Sequence, residues 1–221
     1  MTETIRGRRL PRCDGCGLPP LLCMCAELPS LSLRTQIVLV MHKNEVGRSS
    51  NTGRLALKCV RSARAVIRGM ERAEPNGSER RLLLFPSPEA RPLSAADGAS
   101  DDPVTLVVPD GSWTQARRAT RREPWCRGAE LVKLDAPAPG HYGLRRSPRP
   151  EALCTLEAIA RALGILEGAA VEHALLDVLA RFVVRARHLR AAGGSLGRPT
   201  TDDASATQPE RVQVARRIHH D

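Results

Sequence analysis

The tetrapeptide Asp110-Gly-Ser-Trp113 combines a carboxylate, a turn, a hydroxyl and an indole within the 221-residue chain. It follows the apolar run at residues 104–109 and precedes an arginine-rich segment. The apolar run predicts a strand, and ligands bind at the carboxyl ends of strands in open α/β sheets. The chain has only two tryptophans, so an indole beside an acid in a turn indicates a site. The alternative is a helix start, with Asp110 or Ser112 as its N-cap.

A cluster of thiols lies near the amino terminus, where Cys13-x-x-Cys16 and Cys23-x-Cys25 bring four cysteines into residues 13–25. Two close cysteine pairs can supply the tetrahedral thiolate ligands that Zn²⁺ prefers. We therefore predict a structural zinc site, although the second pair is tighter than the usual C-x₂-C. A redox pair or unligated thiols are the alternatives. The other three cysteines, Cys59, Cys126 and Cys154, are predicted to be small buried hydrophobic residues.

A further polar group follows the apolar run at residues 35–41. His42 and Glu45 lie where that predicted strand ends, and Asn51-Thr52-Gly53-Arg54 follows them, either as site residues or as a capped helix start. Neither G-x-G-x-x-G nor G-x-x-x-x-G-K-[ST] occurs in the chain, so we expect neither a Rossmann dinucleotide site nor a P-loop. Ser112 also lies in no nucleophile-elbow pattern.

These groups must be positioned by strands and helices that alternate along the chain. Apolar runs predict strands at residues 35–41, 81–85, 104–108 and 130–134, and helical patterns predict helices at 52–71, 112–122, 155–163 and 169–190. Such alternation is typical of an α/β fold with a mostly parallel sheet flanked by helices. Residues 86–103 and the proline-rich residues 135–150 are predicted loops.

The charge distribution favours a polyanionic partner. The net charge is +10 and the isoelectric point is near 10.1, which points to nucleic acid, although abundant Arg, Ala, Gly and Pro are also typical of GC-rich genomes. On the predicted helix 52–71, arginines 54, 61, 64, 68 and 72 with Lys58 fall within an arc of about 120°. Basic segments at 54–72, 117–122 and 145–149 together predict a track for phosphates.

The sequence also gives expectations for the compartment, the domain bounds and the oligomeric state. The first residues are polar and resemble no signal peptide, and no apolar run is long enough to span a bilayer, so we expect a cytoplasmic protein with reduced cysteines. We expect a four-cysteine, zinc-knuckle-like head at residues 1–30, a catalytic domain at 31–192 and a flexible polar tail at 193–221. A monomer or a weak oligomer is expected.

Taken in order, these motifs resemble the DTW-domain family of tRNA-uridine aminocarboxypropyltransferases. The resemblance covers residues 10–185, with Ser112 where Thr is commoner and Cys154 where Ser is usual. The matching motifs are the four head cysteines, His42-x-x-Glu45, Asn51-Thr52-x-Arg54, Asp110-Gly-Ser-Trp113, Leu144-Arg145 and Leu153-Cys-Thr155-Leu-Glu157-Ala158.

The resemblance implies a SPOUT-like α/β domain, knotted near its C-terminal half, that binds S-adenosylmethionine without a glycine motif. It implies transfer of the 3-amino-3-carboxypropyl group to N3 of a tRNA uridine, which lies in the variable loop for bacterial members. The alternatives are a SPOUT-type RNA methyltransferase, a non-catalytic zinc-stabilised RNA-binding protein and a thiol redox protein.

On this hypothesis, Asp110 is the base or the group that orients the uracil, and a partly desolvated setting beside Trp113 would raise its basicity. Trp113 would stack on the uracil or form a wall of the cofactor pocket, and Ser112 completes the expected catalytic group. The expected cofactor-binding residues are Val108, Pro109, Leu144, Leu153, Thr155 and Glu157. The expected RNA-binding residues are His42, Glu45, Arg48, Asn51, Arg54, Arg117, Arg118, Arg121 and Arg145.

Overall fold

A parallel sheet of six strands forms the centre of the computed structural model, which describes residues 11–70, 74–99, 102–135, 140, 142–144 and 153–193. The strand order is β2-β1-β5-β3-β6-β4, and each neighbouring pair is parallel. The strands are β1 (Gln36–His42), β2 (Ala63–Arg68), β3 (Arg80–Leu84), β4 (Arg91–Pro92), β5 (Val104–Asp110) and β6 (Glu130–Lys133).

Helices cover both faces of this sheet. They are α1 (Gly53–Cys59), α2 (Trp113–Arg122), α3 (Thr155–Glu167) and α4 (Ala169–Ala191). Successive side chains of β1 point to opposite faces of the sheet, which explains the two layers. Leu39 packs with α1, α3 and α4, whereas Val38 and Val40 pack with α2. We call these sides the α3–α4 face and the α2 face. The α/β prediction with a mostly parallel sheet is confirmed.

Most elements lie where the apolar patterns predict them. The four predicted strands correspond to β1, β3, β5 and β6, and the predicted helices at 112–122, 155–163 and 169–190 correspond to α2, α3 and α4. The buried strands read as nearly continuous apolar runs, as expected for parallel strands covered on both faces.

The predicted helix over residues 52–71 is wrong. The helix ends at Cys59, Val60 is extended, and Ala63–Arg68 form the edge strand β2, which pairs in parallel with β1 from Ile37↔Ala63 to His42↔Arg68. Alanine and arginine favour helices as isolated residues. Backbone pairing with β1 and burial of Val66 on the α2 face override that local preference.

The basic stripe predicted along that helix therefore does not exist. Arg61 donates to Ser30 Oγ at 2.8 Å, and Arg64 lies 4.3 Å above the ring of Trp125. Arg68 forms a salt bridge of 2.6 Å with Glu123. The arginine at position 72 lies outside the described residues. These guanidinium groups hold the edge strand against its neighbours.

The predicted loop at 86–103 contains structure of its own. It forms the short edge strand β4 and a 3₁₀ turn at Ala95–Asp97 with a capping box from Ser94. Arg91 and Arg80 each donate to Asp97 Oδ1, at 2.7 and 2.8 Å. The Arg91 contacts outweigh burial and hold the pKa of Asp97 well below its usual range. These ion pairs fix the loop to the sheet.

The four-cysteine head packs into the main core. Cys16, Leu18 and Met24 are fully buried in the same cluster as α1, α3 and α4, and Arg185 of α4 donates to both carboxylate oxygens of Glu27. The predicted tail lies outside the described residues beyond position 193. Across the described ranges, every helix is too short or too polar to cross a membrane.

Candidate functional site

The carboxyl ends of β1 and β5 lie side by side at the point where the strand order reverses. Met41 of β1 is in register with Asp110 of β5. From β1 the chain moves outward to β2 and then crosses to β3 on the far side of β5. Ligands bind at such a switch point in open α/β sheets, so this edge is the expected location for a site.

Asp110 is buried there, with 5% of its surface exposed. Its Oδ2 accepts a hydrogen bond from Asn51 Nδ2 at 2.5 Å, and its Oδ1 accepts one from Thr155 Oγ1 at 2.6 Å. A buried carboxylate needs such donors, because transfer from water without them is costly. The two bonds fix the plane of the carboxylate and join three segments that are distant in sequence.

Asn51 also organises the segment that follows β1. Its Oδ1 accepts the backbone N–H of Arg54 at 3.1 Å, in the first turn of α1. Next to it, Thr52 Oγ1 accepts the backbone N–H of Leu156 at 3.3 Å, in the first turn of α3. Residues 51 and 52 therefore cap helix starts and also belong to the site. Their hydrogen bonds hold the starts of α1 and α3 together around Asp110.

Gly53 allows this close approach. A Cβ at this position would lie 2.7 Å from Leu39 Cδ2, 3.2 Å from Asn51 Oδ1 and 3.3 Å from Asp110 Oδ2. The first distance is shorter than ordinary side-chain packing permits. A side chain at this position would therefore force Leu39 or α1 to shift, because α1 begins close to the carboxylate.

The first turn of α3 carries the next predicted group. Glu157 is fully buried, and its Oε2 accepts the backbone N–H of Cys154 at 3.0 Å within a capping box. The helix-start role of Glu157 is therefore present in the structure. Burial raises the pKa of Cys154 to about 12 and that of Cys59 to about 11, so both thiols are inert at neutral pH.

A second polar group occupies the α2 face of the same edge. His42 Nδ1 accepts the backbone N–H of Asn44 at 3.2 Å and lies 3.2 Å from Gln115 Nε2. Gln115 Oε1 accepts from the backbone of Ser112, whose hydroxyl accepts from the backbone of Gln115. Burial, followed by the charge of Arg68, lowers the pKa of His42. Ser112 is therefore the N-cap of α2.

Trp113 lies on this α2 face as well. Its ring packs edge-on against Phe85, with centroids 6.2 Å apart, whereas the carboxylate of Asp110 contacts the starts of α1 and α3. The structure thus separates the acid and the indole of the tetrapeptide across the sheet. The sequence predicts Trp113 beside the carboxylate of Asp110. In the structure its neighbours are instead Asn51, Gly53 and Thr155.

The predicted RNA-binding residues divide into buried and exposed groups. Glu45 is buried and forms a salt bridge of 2.7 Å with Arg48 Nη1, and Asn51 is buried against Asp110. These positions do not support direct contact of Glu45 or Asn51 with RNA. In contrast, Arg117, Arg118, Arg121 and Arg122 of α2 are exposed. Arg145 lies outside the described residues.

The predicted cofactor-binding residues are mostly core residues. Val108 and Leu144 are buried in the main core, and Pro109 and Leu153 are half-buried. Beyond them, a groove of about 450 Å³ lies between the first turn of α3 and α4. It is lined by Glu157, Leu176, Asp177, Leu179, Ala180, Val183, Val184 and Arg187.

Three contacts at this edge were not anticipated from the sequence. Gln115 bridges His42 and Ser112, and Tyr142 OH donates to the carbonyl of Ser50 at 2.8 Å. Arg190 of α4 donates to the carbonyl of Leu144 at 2.7 Å. Tyr142 is the only tyrosine of the chain, and its place in a proline-rich segment was the signal that could have marked it.

The four cysteines of the head converge as predicted. All four Sγ atoms lie within 4.8 Å of one another, and the Cys13–Cys25, Cys13–Cys23 and Cys16–Cys23 separations are 3.5, 3.5 and 3.8 Å. Four thiolates about 2.3 Å from Zn²⁺ would be about 3.8 Å apart. The residues therefore fit a tetrahedral metal site, and none of the four forms a disulfide.

The thiols differ in their readiness to ionise. Burial raises the pKa of Cys16 and Cys25. Burial also acts on Cys13, but hydrogen bonds from the backbone of Cys16 and from the thiols of Cys23 and Cys25 outweigh it and lower its pKa to about 7. At least one thiol of the cluster is thus readily deprotonated near neutral pH, as metal binding requires.

Sequence comparison finds one domain family over most of the chain. The DTW domain matches residues 10–187. The chain is 31% identical over 172 residues to tRNA-uridine aminocarboxypropyltransferase 2 of Drosophila melanogaster, covering 72% of this chain and 68% of the relative. It is 30% identical over 173 residues to the protein of the same name from Mus musculus, covering 72% of this chain and 57% of that relative.

A plant protein and a solved structure match the chain at lower identity. The chain is 26% identical over 208 residues to tRNA-uridine aminocarboxypropyltransferase A of Arabidopsis thaliana, covering 77% of this chain and 79% of the relative. Among solved structures, it resembles the SAM-dependent rRNA:acp-transferase Tsr3 from Vulcanisaeta distributa at 22% identity. That match has a TM-score of 0.45 and covers 72% of this chain and 84% of the other.

Proposed function

Because the chain belongs to the DTW-domain family, we propose that it transfers the 3-amino-3-carboxypropyl group of S-adenosylmethionine to N3 of a tRNA uridine. The main support is that relatives from an insect, a mammal and a plant are named for this activity on tRNA uridine. The site geometry is consistent with it, since a fixed carboxylate lies at the switch point of a parallel sheet. As in bacterial members of the family, we place the uridine in the variable loop.

The reaction joins N3 of the uracil to the γ-carbon of the methionine moiety. The N3–H bond breaks, the new N–C bond forms, and the pair of the C–S bond moves to sulfur, which releases 5′-methylthioadenosine. The sulfonium is already a good leaving group, so catalysis consists mainly of positioning and proton removal. In-line placement can supply up to about 7–11 kcal/mol, and a positioned base about 10²–10⁴-fold.

Asp110 is the residue that we assign to the uracil N3–H. A carboxylate accepts hydrogen bonds, and the bonds from Asn51 and Thr155 hold its orientation before substrate arrives. Such preorganisation lowers the cost of aligning the acceptor in the transition state. Trp113 and Ser112 shape the start of α2 on the other face, so we assign them to the wall of the uridine site rather than to proton transfer.

We assign the donor to the segment from Leu144 to Glu157. The groove beside Glu157 has a volume of about 450 Å³, within the range of small-molecule sites. Its wall includes Arg187 of α4, close in sequence to Arg190, which anchors Leu144. Val108, Pro109, Leu153 and Thr155 would contribute backbone groups or hydroxyls toward the donor. The knot implied by the family would lie in this part of the chain and stays a prediction.

The tRNA surface is assigned to α2 and the adjacent strand ends. The exposed Arg117, Arg118 and Arg121 follow directly after the site tetrapeptide, so phosphates bound there would lie next to the reacting uridine. Arg48 and His42 flank the same edge, and Arg145 would extend the surface. We place the reaction in the cytoplasm, and we assign residues 1–30 to a zinc-binding head, 31–192 to the catalytic domain and 193–221 to a tail.

Labelled S-adenosylmethionine tests the reaction class. Purified protein is incubated with tRNA and S-adenosylmethionine labelled either at the carboxyl carbon or at the methyl group, and the nucleosides are analysed by mass spectrometry. Carboxyl label is expected in a modified uridine, with no methyl label. Incorporation of methyl label would instead identify an RNA methyltransferase, and incorporation of neither label would leave a non-catalytic RNA-binding protein.

Substitution of Asp110 tests its role in the same assay. Asp110→Asn keeps the size of the side chain but cannot accept a proton, so the turnover rate should fall by about 10²-fold or more if Asp110 is the base. Asp102→Asn, at an exposed position just before β5, is the matched control and should retain the wild-type rate. A wild-type rate in Asp110→Asn would exclude Asp110 as the base.

A further inference from the structure

Arg54 is one of the predicted RNA-binding residues, yet its guanidinium group points into the protein. It is the second residue of α1, and its Nη2 donates to the carbonyl of Val46 at 2.9 Å. Burial lowers its pKa, while Cys16, Asp14, Cys13 and Asp110 act in the opposite direction through their charges. The charges of the four-cysteine head and of the site carboxylate therefore both stabilise this cation.

The head contacts Arg54 through a constrained glycine. Gly17 directly follows Cys16 of the thiol cluster and has φ of +76°. A Cβ at Gly17 would lie 2.8 Å from Arg54 Nη1 and 3.0 Å from both Cα and O of Ser49. The backbone N–H of Gly17 also donates to the carbonyl of Cys13 at 2.8 Å. The turn that carries the first two cysteines is thus packed directly against Arg54.

The other end of the same residue holds the site. The backbone N–H of Arg54 donates to Asn51 Oδ1 at 3.1 Å, and Asn51 Nδ2 donates to Asp110 Oδ2 at 2.5 Å. The position of Arg54 therefore sets the rotation of the Asn51 amide, and the amide sets the carboxylate. A continuous path of contacts runs from Cys16 through Gly17, Arg54 and Asn51 to Asp110.

Electrostatic attraction can hold Arg54, the central residue of this path, in place. Four thiolates around one Zn²⁺ would carry two net negative charges, and Asp110 is a second anionic group whose charge acts on Arg54. A partly buried cation between two anions is attracted to both, and such attractions are stronger away from water. The metal-bound head would then hold Arg54, and with it Asn51, in one place.

We infer that Arg54 is a positioning residue, not an RNA contact, and that it couples the metal-bound four-cysteine head to Asp110 through Asn51. The inference rests on the proposed transferase activity for its rate measurements. A displacement of about 1 Å at a reacting group can cost about 10²-fold in rate. Loss of the cation should therefore reduce turnover strongly while leaving tRNA affinity unchanged.

The test compares Arg54→Met with Arg54→Lys, Gly17→Ala and the control Arg61→Met. Arg61 is an exposed arginine whose side chain donates to Ser30 Oγ. Four quantities are measured on the zinc-loaded proteins. They are kcat at saturating tRNA and S-adenosylmethionine, the Kd for tRNA as a function of salt, the rate of zinc release to a chelator, and the thermal melting curve.

Arg54→Met and Gly17→Ala should lower kcat by about 10–10²-fold, release zinc faster and keep the wild-type Kd and salt dependence for tRNA. Arg54→Lys should retain more of the rate, because it keeps the charge. Arg61→Met should match the wild type in kcat and zinc release. Arg117→Met is the comparison for an RNA contact and should weaken tRNA binding with a salt slope smaller by about 1.

A weaker Kd and a smaller salt slope for Arg54→Met, with zinc release unchanged, would overturn the inference in favour of an RNA contact. A folded Arg54→Met protein with wild-type kcat and zinc release would also overturn it. If the wild type transfers no aminocarboxypropyl group, the proposed function fails by itself. The zinc-release and tRNA-binding measurements still decide the role of Arg54, since neither requires turnover.

Discussion

At the scale of single residues, Thr155 and Asn51 define the state of Asp110. Each donates one hydrogen bond to a different carboxylate oxygen, and hydrogen bonds to charged groups are worth about 1.5–3 kcal/mol. Neither donor is close to Asp110 in sequence. A carboxylate held in this way is oriented by the starts of two helices rather than by its own strand.

Thr155→Val removes the hydroxyl and nearly preserves the shape of the side chain. We expect the free energy of unfolding to fall by about 1–3 kcal/mol, because Asp110 Oδ1 loses its donor in a buried site. Thr155→Ser keeps the hydroxyl and serves as the control, with a smaller loss. Urea unfolding followed by circular dichroism measures both, and equal losses in the two variants would show that the methyl group matters instead.

His42 gives the site a dependence on pH. Burial and the nearby charge of Arg68 lower its pKa below the ordinary value of 6.5, so the unfolded chain takes up a proton before the folded one. The stability that neutral His42 contributes is fully present above about pH 6.5 and is lost as the pH falls toward its lower folded pKa. Protonation of Nδ1 would also remove the acceptor of the Asn44 N–H.

The wild type should therefore lose more stability between about pH 7 and pH 5 than His42→Gln does. The free energy of unfolding is measured in urea at several pH values for both proteins. His173→Gln, on the exposed side of α4, is the control and should follow the wild-type curve. If His42→Gln followed that curve too, titration of His42 would not contribute to the dependence.

At the scale of secondary-structure elements, the approach of α1 to β5 depends on Gly53. Alanine is the better helix former, by up to about 1 kcal/mol. A Cβ at this position, however, would lie 2.7 Å from the fully buried Leu39. Overpacking of this kind usually costs about 1–3 kcal/mol, so the clash outweighs the propensity.

Gly53→Ala is accordingly expected to lower the free energy of unfolding by about 1–2 kcal/mol and to reduce the turnover rate. Gly77→Ala is the control, because no atom lies within 4 Å of a Cβ at that position, and it should be neutral or slightly stabilising. Chemical denaturation compares the two variants. Greater stability of Gly53→Ala would mean that α1 can move away from Asp110 at little cost.

Helix α2 is the element expected to carry the RNA-binding charge. Its arginines are exposed, whereas those of the mispredicted helix are engaged by Ser30, Trp125 and Glu123. The double substitution Arg117→Gln/Arg121→Gln should weaken tRNA binding and lower the slope of log K against log salt by about 1–2. Filter binding between about 50 and 200 mM salt measures this.

Arg34→Gln is the control for that experiment, since it removes one exposed arginine just before β1, at the opposite edge of the sheet. The salt slope of its tRNA binding should remain that of the wild type. If the slope fell by the same amount per arginine in the double variant and in Arg34→Gln, tRNA would be responding to net charge alone. The assignment of the RNA surface to α2 would then be wrong.

At the scale of the whole molecule, the four-cysteine head packs into the main core. Leu18 and Met24 are fully buried against the elements of the α3–α4 face, and Arg185 of α4 reaches the carbonyl of Cys23 at 3.0 Å. A metal that binds only the folded head stabilises the whole fold by mass action. Loss of the metal should therefore lower the stability of the whole fold and not only of the head.

We expect one zinc per chain by elemental analysis and a lower melting temperature after chelation, restored by added Zn²⁺. Cys23→Ser should lose the metal, whereas Cys126→Ser, whose buried thiol lies on the α2 face, should retain it. Retention of one zinc by Cys23→Ser would contradict the four-cysteine site. An unchanged melting temperature after chelation would contradict its role in the stability of the fold.

Four of the six strands in the described residues, the carboxyl edge that holds Asp110 and the four clustered thiols were predictable from the sequence alone. Those features are local, since apolar runs and cysteine spacing are visible without the fold. The tertiary structure decided that Ala63–Arg68 pair as a strand, because sheet pairing can override helix propensity. It also brought Asn51 and Thr155 to Asp110 across 59 and 45 residues and moved Trp113 to the opposite face. Contacts between distant segments depend on chain topology, and no local pattern encodes them.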